Sequence, residues 1–201
     1  MLNGSATLKG SSISSNMATL EGGVLHTALA SLTIQGSTFA DNSAGMSGGC
    51  LHAAAAADGG ATKLLITNTT ITNNSAGASG GFAYAAGLSV LKTIGTSFIN
   101  ISAGRDGGVF ALCFSKVAGP DWSASLQNRQ MLQQVTDRVV GATMQLTSPP
   151  FFVYMLNTNL TGNSAGKLSN PNQRVFASPH LSFQVCRYTP FLHVLQAAMV
   201  A

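Results

Sequence analysis

Apolar residues in this chain come in short runs, each broken by Gly, Ser, Thr or Asn. Leu32-Thr33-Ile34, Leu64-Leu65-Ile66-Thr67 and Gly108-Val109-Phe110-Ala111-Leu112 are examples. The runs are too short for helices, and their period is nearer two than 3.6. The pattern predicts many short strands separated by turns.

The runs also recur. Four segments align without internal gaps: ATLKGSSISSNMATLEGGVLHTA, LTIQGSTFADNSAGMSGGCLHAA, LLITNTTITNNSAGASGGFAYAA and LKTIGTSFINISAGRDGGVFALC. A bulky residue in the middle anchors each one: Ile13, Phe39, Ile71 and Phe98, at intervals of 26, 32 and 27 residues. Three residues on stand Asn16, Asn42, Asn74 and then Ile101. Five residues on stand Ala18, Ala44, Ala76 and Ala103. Nine and ten residues on stand the pairs Gly22-Gly23, Gly48-Gly49, Gly80-Gly81 and Gly107-Gly108. A partial fifth copy, NTNLTGNSAG, carries Leu160, Asn163 and Ala165 and lacks the Gly pair.

A unit of about 26 residues cannot bury an apolar face alone, whereas stacked units bury a continuous column. Like positions in neighbouring units then lie ~4.8 Å apart, the interstrand spacing. The expected fold is all-β, a right-handed parallel β-helix solenoid of about five coils. In it the anchors form a core column, and Asn16, Asn42 and Asn74 form an amide ladder. The NSAG and GG stretches supply residues that tolerate left-handed backbone. An α-solenoid is excluded, because Gly recurs in every unit and costs ~1 kcal/mol at each helix-interior position.

The expected division is β-helix coils over 1–117, an insertion over 118–150, a further coil over 151–177 and an irregular tail over 178–201. In the insertion, Leu132, Val135 and Val139 share a helical face. Ser123 or Ser125 can cap its start and Gly141 its end, which predicts a helix near 121–141. The 62 residues from Phe98 to Leu160 fit one coil carrying this insertion better than two coils with one degenerate. Ala53 to Ala57 and Asp58-Gly59-Gly60 read as a loop extension that lengthens the second interval.

Composition narrows the function. Only 8% of residues are charged, against about 25% in an average soluble protein. With 45% hydrophobic residues the chain is not disordered either. The net charge of +4 comes from Lys and Arg scattered without a stripe, so no nucleic-acid partner is expected. Three cysteines, Cys50, Cys113 and Cys186, show no zinc or redox spacing and read as buried thiols in apolar strands. No stretch approaches the ~20 apolar residues of a transmembrane helix. Residues 1–15 carry no signal-peptide h-region and the repeat opens almost at once, so a fragment of a larger protein is expected.

Phe39-Ala40-Asp41-Asn42 is an F-x-x-N motif, and each complete unit carries Gly-Gly followed by an apolar pair. This combination resembles the F-x-x-N and GG-A/I-I repeat of the polymorphic outer membrane proteins, found also in secreted right-handed β-helix proteins. The resemblance spans roughly residues 8–112 and weakly 153–166. It implies a large surface or secreted protein, adhesive in some members. Ile13 and Ile71 replace the Phe, Ile101 replaces the Asn, and Val-Leu, Cys-Leu, Phe-Ala and Val-Phe follow the Gly pairs. No series of ~10-residue alternating strands follows the repeat, so an autotransporter role is not carried over.

The chemistry is sparse. Glu21 and Asp106 share one offset but stand three coils apart, which is ~14 Å by strand spacing. A glycosidase pair needs ~5–9.5 Å. Asp41 shares its column with Asn73 and Asn100, and a two-acid site needs a loop to bring in Asp58 or Asp121. No phosphate loop, dinucleotide fingerprint or nucleophile elbow is present. No catalytic, cofactor-binding or metal-binding residue is therefore expected. His26, His52 and Tyr84 share one offset and line up as a ring ladder, suited to contacts with sugars or a weakly held metal. Repeat duplication explains them more simply, since two His lack the third and fourth ligands of a metal site. Sequons begin at Asn3, Asn68, Asn73, Asn100 and Asn159, with Asn73 and Asn100 in one column as candidate glycosylation sites.

These readings point to a non-catalytic extracellular or cell-surface module of structural or adhesive type, with carbohydrate or surface proteins as partners. The alternative is an incomplete or inactive relative of a carbohydrate-active β-helix enzyme, a polysaccharide lyase or glycoside hydrolase. A third reading is a truncated gene product whose open ends expose strand edges.

Overall fold

A computed structural model of the chain describes residues 4–27, 31–54, 62–86, 88–114, 138–148, 151–166, 174–177 and 181–185. Among the described residues every regular element is a β-strand. The first unit holds β1 (Ser5–Lys9), β2 (Ser12–Ser14), β3 (Met17–Ala18) and β4 (Leu25–Thr27). The second holds β5 (Ser31–Gln35), β6 (Thr38–Ala40), β7 (Ser43–Ala44) and β8 (Leu51–Ala53). The third holds β9 (Thr62–Thr67), β10 (Thr70–Thr72), β11 (Ser75–Ala76) and β12 (Ala83–Ala86). The fourth holds β13 (Leu88–Ile94), β14 (Ser97–Ile99), β15 (Ser102–Ala103) and β16 (Phe110–Phe114). Then follow β17 (Arg138–Ser148), β18 (Phe151–Thr161), β19 (Ser164–Ala165), β20 (Arg174–Ala177) and β21 (Leu181–Val185).

Each strand of a unit pairs in parallel with its counterpart in the next. β1, β5, β9 and β13 lead to the first half of β18, and β2, β6, β10 and β14 lead to its second half. β3, β7, β11, β15 and β19 form a second sheet, and β4, β8, β12, β16 and β21 run through a third. The anchors pair directly: Ile13 with Phe39, Phe39 with Ile71, Ile71 with Phe98, and Phe98 with Leu160. The long interval between the last two is thus a single step of the stack. The described residues are all-β and built on parallel sheets whose like positions lie in register.

Burial follows the alternation of the strands. In β5, Leu32 and Ile34 point into the core while their neighbours remain partly open. Phe39, Ile71 and Phe98 are fully buried. Phe82 sits among three other rings, with centroids 5.8 Å from Phe39, 5.7 Å from Phe98 and 5.8 Å from Phe110, all edge-on. Edge-on packing sets the positive ring edge against a negative ring face, so the rings attract beyond their area burial.

Two polar rows satisfy buried groups along the stack. Asn16 Nδ2 donates to Asn42 Oδ1 at 3.0 Å, and Asn42 Nδ2 donates to Asn74 Oδ1 at 3.0 Å. The same oxygens accept from the backbone N–H of Asn16 and Asn42 at 3.1 and 2.9 Å. Asn42, Asn74 and Asn163 also donate to the backbone carbonyls of Ile13, Phe39 and Phe98. At Ile101 the side-chain ladder is interrupted, but Asn163 Oδ1 still accepts the Ile101 N–H at 2.8 Å. The second row is hydroxylic. Ser37, Thr69, Thr96 and Thr158 each donate to the carbonyl two residues earlier, over 2.9 to 3.3 Å. Buried side chains that are fully bonded cost little, whereas one left unpaired costs about 1–3 kcal/mol.

Left-handed backbone falls in three rows, one per corner. The first is Gly10, Gly36, Asn68, Gly95 and Asn157, and the second is Ser15, Asp41, Asn73, Asn100 and Gly162. The third is Gly22, Gly48, Gly80 and Gly107. In the NSAG stretch the left-handed residue is therefore the one before the Asn, and the stretch's own Gly serves close packing instead. A Cβ at Gly77, for example, would overlap the Gly45 carbonyl oxygen. The first row yields a test. Gly36 has a φ of 55° with open space around its Cα, and Asn68 holds the same corner at 48°. Gly36→Asn is expected to change stability by less than about 0.5 kcal/mol, and Gly36→Ala to cost roughly 1 kcal/mol, because Asn tolerates this region better than Ala. Urea midpoints of the two variants measure the difference.

Two expectations are corrected. The helix near 121–141 does not extend over Arg138–Gly141, which lie in β17, paired antiparallel with β18. β-branched Val139, Val140, Thr143 and Thr147 favour an extended chain, and the open edge of β18 supplies the partner. Residues 121–137 of that expected helix lie outside the described residues. The tail is not irregular at Leu181–Val185, where β21 pairs in parallel with β16 and antiparallel with β20. The loop extension falls largely outside the described residues.

Candidate functional site

The β4, β8 and β12 row brings the chemistry of the chain together. His26 pairs with His52, and His52 with Tyr84, so the three rings occupy successive steps of one sheet face. The His26 and His52 rings stand 4.7 Å apart at a tilt of 31°. The His52 and Tyr84 rings stack 4.9 Å apart and almost parallel. Both distances are close to the strand spacing, so the stacking follows from the register.

Glu21 joins this ladder. Glu21 precedes the left-handed corner at Gly22, and the chain turns there before entering β4. Its Oε2 lies 3.6 Å from His26 Nε2 and 3.4 Å from His52 Nε2. Both separations exceed a good hydrogen bond. One donor atom each from Glu21, His26 and His52 lies within 4.8 Å of the others. His26 is largely exposed, Glu21 is half-exposed, and His52 is buried with its Nδ1 lacking a partner. Burial holds the His52 pKa below its ordinary value, and the His26 charge adds to this while Glu21 opposes it. Burial, helped by Glu21, raises the Tyr84 phenol. Burial thus favours the neutral form of the His52 imidazole, the form that binds metals.

Among the described residues the other acids do not converge. Glu21, Ser47, Ser79 and Asp106 form a chain of parallel bridges, so the two carboxylates are three steps apart. Asp106 is buried and faces no solvent. Asp41 accepts from Asn73 at 3.2 Å, and Asn73 accepts from Asn100 at 3.4 Å, forming an outer polar row. Asn73 and Asn100 are exposed there, as is Asn68. Asp58, Asp121 and Asp137 lie outside the described residues.

The residues of the repeat itself have structural positions. Phe39, Ile71 and Phe98 are core anchors, Asn42 and Asn74 are ladder rungs, and Gly48, Gly80 and Gly107 are left-handed corners. Gly49 and Gly81 lie against the backbone of the next unit, and buried Gly108 follows Gly107 in the same pattern. Cys50 is a buried thiol, which burial pushes far above the ordinary thiol range while a hydrogen bond with Asn42 opposes the rise. It is chemically inert in this setting. Sequence reasoning missed the approach of Glu21 to the two His. Its signal was a charged residue at the corner just before β4, the first of the two His-bearing strands, where the second has Ser47. No helix among the described residues is long and apolar enough to cross a membrane. No protein-family model matches the chain, and neither a curated protein nor a solved structure was found to match it.

Proposed function

We propose that the chain is a right-handed parallel β-helix module of an extracellular or cell-surface protein, with a structural and adhesive role and no catalysis of its own. The observation that carries this reading is the register of like positions through successive units, from Ile13 to Leu160. Such a stack offers a long lateral face at little cost in sequence. That face is poor in charge, with 8% charged residues in the chain, which suits many weak contacts better than one deep site. The separation of Glu21 from Asp106 and the burial of the latter count against a two-carboxylate glycosidase centre. The resemblance to the polymorphic outer membrane protein repeat points the same way. In a eukaryotic secretory route, the exposed Asn73 and Asn100 row would accept glycans.

The immobilised chain is expected to bind members of a panel of polysaccharides and matrix proteins with fast dissociation and little salt dependence. It is expected to release no sugar product. Binding to no member of the panel would remove the adhesive role. Accumulation of reducing ends or unsaturated sugars would replace it with the enzyme reading. On intact source cells, externally added protease is expected to digest the protein, and full protection would place it elsewhere.

A further inference from the structure

The geometry points to a divalent transition-metal site formed by Glu21, His26 and His52, of the zinc type. Zinc takes imidazole nitrogen and carboxylate oxygen at ~2.0–2.2 Å in a tetrahedron, which sets adjacent donors ~3.3–3.5 Å apart. The Glu21 Oε2 contacts with the two Nε2 atoms, 3.4 and 3.6 Å, match that edge length and are too long for good hydrogen bonds. All three donor atoms already lie within 4.8 Å of one another. The remaining closure falls to His26, whose side chain is 56% exposed. Two imidazoles and one carboxylate leave the fourth position to water, the pattern of an open site.

His52 is the fixed ligand. It is buried, and its ring is clamped between His26 and Tyr84. Its Nδ1 has no partner to orient the ring from behind, so the stacking on Tyr84 does that work. A metal-bound His ordinarily has such a partner, and losing one costs 10–100-fold in affinity. The site is therefore a moderate binder rather than a tight structural centre. The ion would tie the corner at Gly22 and β4 to β8, joining the first unit to the second.

The test is calorimetric titration of the full chain with zinc chloride, alongside cobalt(II) chloride followed by absorption. One zinc per chain is expected, with a visible cobalt spectrum of nitrogen and oxygen ligands and no thiolate charge-transfer band. Glu21→Gln and His26→Ala are each expected to weaken zinc binding at least tenfold. Both side chains are substantially exposed, so the variants are expected to keep the parent circular dichroism. The chain's thermal midpoint is expected to rise with zinc, and to rise less in either variant. Absence of zinc binding overturns the proposal. So does a thiolate band, or equal affinity in the parent and both variants, because each locates the ion elsewhere.

Discussion

Phe82→Ala is expected to destabilise the protein by about 3–5 kcal/mol, the range for deleting a buried aromatic side chain. Phe82 is fully buried and touches Phe39, Phe98 and Phe110 edge-on. Its removal leaves a cavity bordered by three rings from the units on either side, Phe39 from the second and Phe98 and Phe110 from the fourth. Those rings cannot close the gap without shifting strands whose register is fixed by backbone hydrogen bonds. The loss is large against the about 5–15 kcal/mol that holds a typical domain folded. Urea unfolding followed by circular dichroism measures it. Should the alanine variant fail to fold, Phe82→Leu preserves most of the volume and is expected to cost less than about 1.5–3 kcal/mol. A Phe82→Ala variant as stable as one truncated at exposed Leu20 would show that the core does not lie between these columns.

Much of the fold was legible because repetition converts sequence offset into spatial neighbourhood. Equal distance from the anchor was enough to predict that Phe39, Ile71 and Phe98 share a column and that Asn42 bonds Asn74. Offset alone does not say which columns face each other. Glu21 and His26 have different offsets, and only the corner at Gly22 brings them together, so the His pair looked short of ligands. The hydroxyl row of Ser37, Thr69, Thr96 and Thr158 was hidden for a different reason. Ser and Thr are so common in this chain that another recurrence carries little information. The β17 strand was misread as the end of a helix because Leu132, Val135 and Val139 satisfy a 3.6 period. What decided residues 138–148 was the unpaired edge of β18, a tertiary partner with no local signature. Leu181–Val185 shows the same effect, since the edge of β16 recruits it.

Gly49→Ala is expected to cost roughly 3 kcal/mol or more, or to prevent folding, although it adds only one methyl group. The φ of Gly49 is not in the left-handed region, so backbone strain is not the cause. The added Cβ would overlap the carbonyl oxygens of Gly81 and Ser75 and stand 2.8 Å from the Ser75 carbonyl carbon. These atoms belong to the backbone of the next unit and cannot rotate away as a side chain can. Relief requires parting two units, which lengthens the Gly49 N–H bond to the Gly80 carbonyl, now 3.0 Å, and the Cys50 N–H bond to the Phe82 carbonyl, now 2.9 Å. Gly36→Ala is the matched control, with the same change in chain entropy but nothing within 4 Å of its Cβ position. The prediction is thus a difference between two chemically identical substitutions, read as urea midpoint or, if Gly49→Ala is insoluble, as soluble yield and protease resistance. Equal tolerance of the two would mean that Gly49 does not lie against Gly81, and adjacent units would then not be stacked backbone to backbone at this corner.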